Sequence, residues 1–154
     1  MEKHASVYGI LLSVFLFFLY SCTPESCKEE TVTLLGATFY RTGTGKTGAP
    51  DSVTVFGTGK ETSPLYKNAT GKPVIYLPLD PSSGECSFIL KINGINDTIK
   101  FIYNTFPHLV SKECGYTFFH NISGCKFTEN IIDTVFVTNK RITTQNEENI
   151  RIFY

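Results

Sequence analysis

The sequence predicts an all-β domain, an antiparallel β-sandwich of about eight short strands. Three observations support this prediction. Thr, Ile, Val, Phe and Tyr dominate most of the chain, and these residue types are enriched in strands. Apolar and polar residues alternate along several short segments. Turn residues separate these segments every 8–15 residues or so, and no helical period is long enough to predict a helix after the first 21 residues.

The alternation predicts each strand in turn. Ser52–Phe56 alternates cleanly, and Cys86–Ile92 places Cys86, Phe88, Leu90 and Ile92 on one face. Residues 41–51 are rich in Gly and Thr and predict a loop, as do residues 61–72. Gly94–Asp97 and Asn121–Gly124 predict turns, the first closing a hairpin. The predicted strands are 31–40, 52–56, 74–79, 86–92, 98–103, 115–120, 131–138 and 149–154, and Leu109-Val110 lies in a short β-like stretch between two of them.

The first 22 residues have the layout of a bacterial lipoprotein signal. A short polar segment with Lys3 precedes an apolar run of 14 residues, Val7–Tyr20, and Leu19-Tyr20-Ser21-Cys22 follows the order of a lipobox. As a helix this run would cover only about 21 Å, whereas the hydrocarbon core of a bilayer is about 30 Å thick. We therefore expect cleavage before Cys22, diacylglycerol on its thiol and an acyl chain such as palmitate on its amine.

Cleavage divides the chain into a signal peptide (1–21), a lipidated tether (22–30) and a β-sandwich domain (31–154). The signal carries Lys3 and Glu2, which leaves 13 basic and 13 acidic residues in the mature protein. A net charge of zero argues against a nucleic-acid partner. The expected partner is a membrane, to which the lipid on Cys22 anchors the protein. The expected location is the cell envelope, and within it the outer membrane.

The cysteines agree with an oxidising compartment. Once Cys22 is assigned to the lipid, four cysteines remain, and an even set in an exported protein predicts disulfides. Four cysteines allow three pairings, and their spacing does not choose among them. The chain has no CxxC pair, and its histidines lie at no ligand spacing, so we predict neither a metal site nor a cofactor. The four residues are Cys27, Cys86, Cys114 and Cys125.

The motifs that suggest catalysis have simpler explanations. Gly43–Gly48 matches GxGxxG and contains Gly-Lys-Thr, but Tyr40 occupies the position where a phosphate loop needs glycine. Ala49-Pro50-Asp51 follows, with no helical pattern to receive a phosphate, so a surface loop is favoured. His108 and His120 stand near no nucleophile motif. We predict no catalytic residue and no enzyme activity.

Three triplets share the form Asp-Ser/Thr-aliphatic, and each lies at or near the start of a predicted strand. They place Ser52, Thr98 and Thr134 directly after an aspartate. One interpretation is ordinary turn chemistry, with Asp ending a turn. The other is modification, since the triplets look like the acceptor for O-linked glycans on exported proteins of Bacteroidota. Both interpretations stay open.

Six features occur in order along the mature domain: Cys27, Phe39-Tyr40, Asp51–Gly57, Leu77–Asp80, Asp97–Ile99 with Phe101 and Tyr103, and Ser111–Tyr116. Together they resemble a family of lipoproteins of unknown function from Bacteroidota. The resemblance implies a lipoprotein β-domain with no known activity, and it suggests the disulfides Cys27–Cys114 and Cys86–Cys125. Lys28-Glu29-Glu30 is similar to the signal that sends some lipoproteins of that phylum to the cell surface.

Two functions of different classes follow. The first is a non-enzymatic binding or assembly module tethered to the envelope, with an unidentified protein or glycan partner. The second is a small extracytoplasmic hydrolase or carbohydrate-active domain whose carboxylates meet in space. A cleft with two facing carboxylates would favour the second, and a sandwich with an exposed aromatic patch would favour the first.

Overall fold

Two β-sheets make up the fold in a computed structural model, which describes residues 26–154. The predicted signal peptide and Cys22 lie outside the described residues. The part of the chain that is described contains strands and no helix, and this confirms the all-β, sandwich-like prediction. The strands are β1 (Leu34–Arg41), β2 (Lys46–Thr47), β3 (Val53–Gly57), β4 (Tyr66–Ala69), β5 (Val74–Pro78), β6 (Glu85–Ile92), β7 (Ile95–Ser111), β8 (Gly115–Phe127), β9 (Thr134–Val137), β10 (Arg141–Ile142) and β11 (Glu148–Phe153).

The first sheet is built around β1. On one edge β1 pairs with β11, which in turn pairs with β9. On its other edge β1 pairs with β5 along Leu34–Thr38 and with β2 at Tyr40 and Arg41. The β1–β11 pairing is parallel, which departs from the purely antiparallel sandwich predicted from the sequence. Parallel strands need a long connection, and here the rest of the domain supplies it.

The second sheet has the order β10-β8-β7-β6-β3-β4, with every pairing antiparallel. The β6–β7 hairpin closes through Asn93 and Gly94, which both have positive φ, at 50° and 89°. Two positive values are the mark of the tight turn that matches strand twist, for which Asn-Gly is the preferred pair. The turn therefore begins one residue earlier than predicted, and Ile95–Asp97 belong to β7 instead of the turn.

A single core lies between the two sheets. The predicted alternation is confirmed in β6 and β7, where Phe88, Leu90 and Ile92 face the same interior as Ile99 and Phe101. The first sheet contributes buried side chains from β1, β5 and β11 to the same cluster. Burial of apolar side chains at about 25 cal/mol per Å² is the main force that holds the sheets together. The first-sheet members are Leu35, Ala37, Phe39, Ile75, Leu77, Ile150 and Ile152.

The β7–β8 hairpin extends beyond the rest of the second sheet. Strand β6 ends its pairing opposite Ile102, whereas β7 and β8 stay paired as far as Ser111 and Gly115. We call this extension of β7 and β8 beyond β6, residues 103–122, the arm; β10 pairs with it only at its base, at His120 and Asn121. At about 3.3 Å per residue it projects some 25–30 Å. Residues 112–114 form the turn at its tip.

Two features of the arm were predicted wrongly. Asn121–Gly124 is not a turn but part of β8, where Ser123 is the extra residue of a bulge between the Ile102–Gly124 and Tyr103–Ile122 pairs. Strand β7 continues through Pro107 to Ser111, whereas the sequence predicted a strand that ends at Tyr103. The Tyr103 N–H donates toward β6, to the Gly84 carbonyl, and the two-residue strand period places the Pro107 nitrogen on that same edge, beyond the end of β6. Proline has no N–H to donate, and since no strand faces this edge at Pro107, no hydrogen bond of the sheet is lost.

Candidate functional site

A cleft of about 390 Å³ opens where the chain crosses from the first sheet to the second. The β3–β4 loop forms one wall, and the β5–β6 loop with the start of β6 forms the other. Leu65, Pro78 and Phe88 give it apolar surface, and hydroxyl and charged groups surround them. Its remaining lining residues are Gly57, Thr58, Lys60, Ser63, Asp80, Ser83, Glu85, Cys86 and Ser87.

Backbone hydrogen bonds hold the two walls together. The Thr58 N–H donates to the Ser87 carbonyl at 3.0 Å, and the Thr58 hydroxyl donates to the same oxygen at 3.3 Å. Within the β3–β4 loop, the Lys60 N–H donates to the Gly57 carbonyl at 2.9 Å. A site whose walls are already paired in this way is largely preformed, which favours binding because less order must be created when a ligand arrives.

Two carboxylates line this cleft, Asp80 and Glu85, at the two ends of one short loop. Each has a partner in the fold. Asp80 Oδ1 accepts the Ser82 N–H at 2.8 Å, which is the side-chain turn expected of Asp at this position. Glu85 Oε1 lies 2.7 Å from Lys100 Nζ. The sequence analysis did not pair these residues. The signal that could have done so is the turn sequence Asp80–Gly84, which brings its two flanks together.

Tyr103 holds the backbone of Asp80, one of the residues that line the cleft. Its buried hydroxyl donates to the Asp80 carbonyl at 2.9 Å and accepts the Asp80 N–H at 3.1 Å. Burial raises the pKa of Tyr103 well above its ordinary value, and the neighbouring Cys86 adds to the effect. Burial likewise raises the pKa of Cys86 to about 11. The Cys86 thiol is therefore protonated at neutral pH and is a poor nucleophile.

The structure contains one disulfide among the described residues, Cys27–Cys114, with Cα atoms 4.7 Å apart. It is one of the two pairs that the resemblance implies. The prediction of the other pair, Cys86–Cys125, is wrong, because both residues are free thiols. Cys86 and Cys125 lie on either side of Phe101, on β6 and β8. Two strand spacings separate them by about 9.5 Å, which is too far for a disulfide. Burial also raises the pKa of Cys125 to about 11.

The three candidate glycosylation residues are half-buried and lie apart from one another in the fold. Thr98 is inside β7, where its N–H donates to the Thr128 hydroxyl at 2.9 Å. Ser52 precedes β3, and its N–H donates to the Asn93 side chain at 3.2 Å. Thr134 opens β9 opposite Phe153. Their modification stays a prediction.

The histidines have structural partners on the arm. His108 stacks on Phe119 with ring centroids 4.1 Å apart. His120 is buried, and its Nδ1 lies 2.9 Å from the Thr105 hydroxyl. Burial lowers the pKa of His120. The Gly43–Gly48 segment contains most of the turn after β1 and the short strand β2. No helix follows this GxGxxG match.

Residues 26–154 contain neither a membrane-spanning helix nor a cluster of metal-ligating side chains. No helix in this part of the chain has the length and apolar character needed to cross a membrane. Over the same residues, no group of three or more His, Cys, Asp or Glu side chains is placed to hold a metal ion.

Comparison with known proteins places the chain in a family. No curated protein and no solved structure is significantly similar to it. Residues 52–154, which are more than half of the chain, match a family described as a family of unknown function (DUF6452). The match begins just before β3 and includes the cleft and the arm. The chain therefore belongs to this family of unknown function.

Proposed function

We propose that the protein is an envelope lipoprotein, anchored through lipid on Cys22, whose β-sandwich is a non-enzymatic binding or assembly module. The Cys27–Cys114 disulfide carries the proposal. Disulfides form and persist in exported proteins, and this one lies five residues after the predicted lipidated cysteine. The N-terminal sequence and the disulfide thus independently support the same compartment.

The resemblance to lipoproteins of Bacteroidota makes the proposal more specific. It supports an outer-membrane location and a short tether between lipid and domain. Lys28, Glu29 and Glu30, which are similar to a surface-export signal, are all exposed and so accessible to a sorting factor. Protease treatment of intact cells separates the two possible faces of the membrane, because only a surface-exposed domain is digested.

The cleft is the proposed binding region of the module. It combines apolar surface from Leu65 and Phe88 with the hydroxyls of Ser63 and Ser87, a combination found in ligand pockets. Its thiol is protonated, because the pKa of Cys86 is about 11. A glycan or peptide segment with mixed polar and apolar character fits this lining. Affinity purification of the intact lipoprotein from its own envelope identifies the partner.

Mass spectrometry of the membrane-extracted protein tests the anchor. We expect an acylated N-terminal peptide that begins at Cys22, and we expect Cys22→Ala to lose the lipid. Cys27→Ala is the matched control, since it removes a nearby cysteine and should leave acylation intact. An unmodified Cys22 thiol in the native membrane fraction would contradict the proposal.

The alternative function is a small hydrolase or carbohydrate-active domain, and one observation favours it. Asp80 and Glu85 line the same cleft, as a pair of glycosidase carboxylates must. Turnover assays on glycan, peptide and ester substrates test it with Asp80→Asn and Glu85→Gln, and with the exposed Glu129→Gln as control. Activity that disappears only in the two cleft variants would establish the hydrolase and refute the non-enzymatic module.

A further inference from the structure

We propose that the apolar face at the tip of the arm rests on the lipid surface to which the chain is anchored. The β-sandwich would then stand on the membrane through the end of its β7–β8 hairpin. The inference rests on the proposed function, because it takes Cys22 as the lipidated residue.

The disulfide keeps the tip of the arm close to the anchor. Cys114 lies in the turn that joins β7 to β8, and it is bonded to Cys27. Cys27 lies five residues after Cys22, and a fully extended chain spans at most about 18 Å over five residue steps. The Cα atoms of Cys27 and Cys114 lie 4.7 Å apart. The tip therefore cannot lie more than about 23 Å from the lipidated residue.

Hydrogen bonds place the following segment along the arm. The Thr117 hydroxyl donates to the Thr31 carbonyl at 2.5 Å, and the Thr33 hydroxyl donates to the Phe118 carbonyl at 2.9 Å. The chain thus runs from Cys27 at the tip, along β8, to the start of β1 at Leu34. The disulfide holds the start of this segment at the tip, and the two hydrogen bonds hold the rest of it along β8.

The tip presents an apolar face that extends the core-facing side of the second sheet. Leu109 lies opposite Tyr116, and Pro107 lies opposite Phe118, on the side of the strands that carries Tyr103 and, beyond the β8 bulge, Ile122 in the core. Near the sandwich this face is buried, but toward the tip it is open. The exposed fractions are 49% for Leu109, 70% for Tyr116 and 45% for Phe118.

The chemistry of this face matches the interfacial layer of a bilayer. Tyrosine and other aromatic side chains are favoured at headgroup level, where a ring is shielded and a hydroxyl stays wet. Lys112 and Glu113 are exposed in the turn, and their charges oppose insertion of the turn into hydrocarbon. The arm therefore lies with its apolar side against the headgroup region. The mature chain has zero net charge, so this contact should depend only weakly on salt.

Tryptophan fluorescence of the lipidated mature protein, which begins at Cys22, tests the inference in vesicles. The chain has no Trp, so each substituted indole is the sole reporter. Leu109→Trp and Ile95→Trp are a matched pair on one strand, with exposed fractions of 49% and 46%, separated by about 45 Å along β7. Tyr116→Trp is a second reporter at the tip. The vesicles are phosphatidylcholine with bromine on the acyl chains, which quenches nearby indoles, and flotation confirms anchoring.

We expect the indoles at positions 109 and 116 to emit at shorter wavelength and to lose about half their intensity in brominated vesicles. The indole at position 95 should have the same emission spectrum in vesicles as in detergent-free buffer, and the brominated acyl chains should not quench it. Photolabelling of the unsubstituted protein by an acyl-chain diazirine lipid should mark residues 106–118 in preference to residues 93–98.

Three results would overturn the inference. Vesicles that float with the protein but leave positions 109 and 116 unquenched would refute it and leave the proposed function intact. A wavelength shift at the tip without bromine quenching would mean that protein, such as a second copy, covers the face. Protein that lacks acylation and does not float would refute both the inference and the anchor.

Discussion

Asp97 shows how one buried side chain can join two distant segments. Its carboxylate accepts the backbone N–H groups of Asn130, Ile131 and Ile132 at 3.0, 2.8 and 2.9 Å, and also the Thr128 hydroxyl. Burial alone raises the pKa of this carboxyl, but the four hydrogen bonds outweigh burial and hold the pKa below its ordinary value. Asp97 does not end a turn, as one sequence interpretation of the Asp97-Thr98-Ile99 triplet had it: it lies inside β7 and binds a segment more than 30 residues away.

This depressed pKa predicts acid sensitivity. The unfolded Asp97 binds a proton near its ordinary pKa of about 3.9, while the folded carboxyl binds it only at lower pH. Its contribution to stability is therefore complete above about pH 4 and is lost as the pH falls through the folded pKa. Asp97→Asn should lower the free energy of unfolding at pH 7 by about 2–4 kcal/mol and flatten the decline below pH 4. Urea denaturation from pH 7 to 3 measures both, with the exposed Asp51→Asn as control. An unchanged pH profile in Asp97→Asn would contradict the assignment.

Gly36 marks the closest approach between β1 and the segment before β11. A Cβ at this position would lie 2.1 Å from the Glu147 carbonyl oxygen, a backbone atom that cannot swing away. Gly36→Ala should therefore destabilise the fold by about 2–3 kcal/mol. Gly43→Ala is the matched control, since nothing lies within 4 Å of its added Cβ, and thermal melting compares the two. Equal melting temperatures would refute the close approach. The sequence alone cannot predict this contact, because its partner is distant in the chain.

At the scale of elements, the sequence predicted strand positions better than strand ends. The alternation of Phe88, Leu90 and Ile92 placed β6 and its buried face correctly. The sequence predicted the arm in pieces, 98–103, Leu109-Val110 and 115–120. Pro107 and the Asn121–Gly124 turn pattern, which normally interrupt strands, lie inside β7 and β8. The fold accommodates the proline on an edge without a partner strand and the turn pattern in a bulge. Both depend on which strand is the neighbour, and local sequence does not contain that information.

The arm should depend on its disulfide more than the sandwich does. An isolated two-stranded hairpin is at best marginally stable in water, and here the Cys27–Cys114 bond and the segment hydrogen-bonded at Thr117 support it. In Cys27→Ser/Cys114→Ser we expect amide hydrogens of residues 106–118 to exchange at least about tenfold faster, because local opening becomes easier. Amides of β6 and of residues 97–102 should stay among the slowest. Hydrogen exchange with mass spectrometry measures this difference. Uniform acceleration throughout the second sheet would show instead that the arm opens only with the whole domain.

At the scale of the whole molecule, composition and alternation were sufficient to predict two packed sheets, but the strand order was not predictable. The parallel pairing of β1 with β11 joins the two ends of the described domain, and no local pattern encodes such a distant partner. The candidate site has the same limitation. Cys22 and the cysteine set are predictions from short motifs, whereas the cleft arises only when the β3–β4 and β5–β6 loops meet at the crossover between sheets.

The disulfide also gives the most direct test of the whole fold. Its half-cystines are 87 residues apart in sequence, so the bond restricts a large part of the unfolded chain and in the chain-entropy model contributes about 4–5 kcal/mol. Because one core joins both sheets, we expect a single thermal transition whose midpoint falls by roughly 10–20 °C on reduction. Scanning calorimetry with and without reductant measures the shift. Cys86→Ala/Cys125→Ala should retain the full shift, since these thiols are free, and Cys27→Ser/Cys114→Ser should show none. If reductant lowers the transition midpoint of Cys27→Ser/Cys114→Ser, a disulfide must form between Cys86 and Cys125. The strand order that places Phe101 between these two residues would then be wrong.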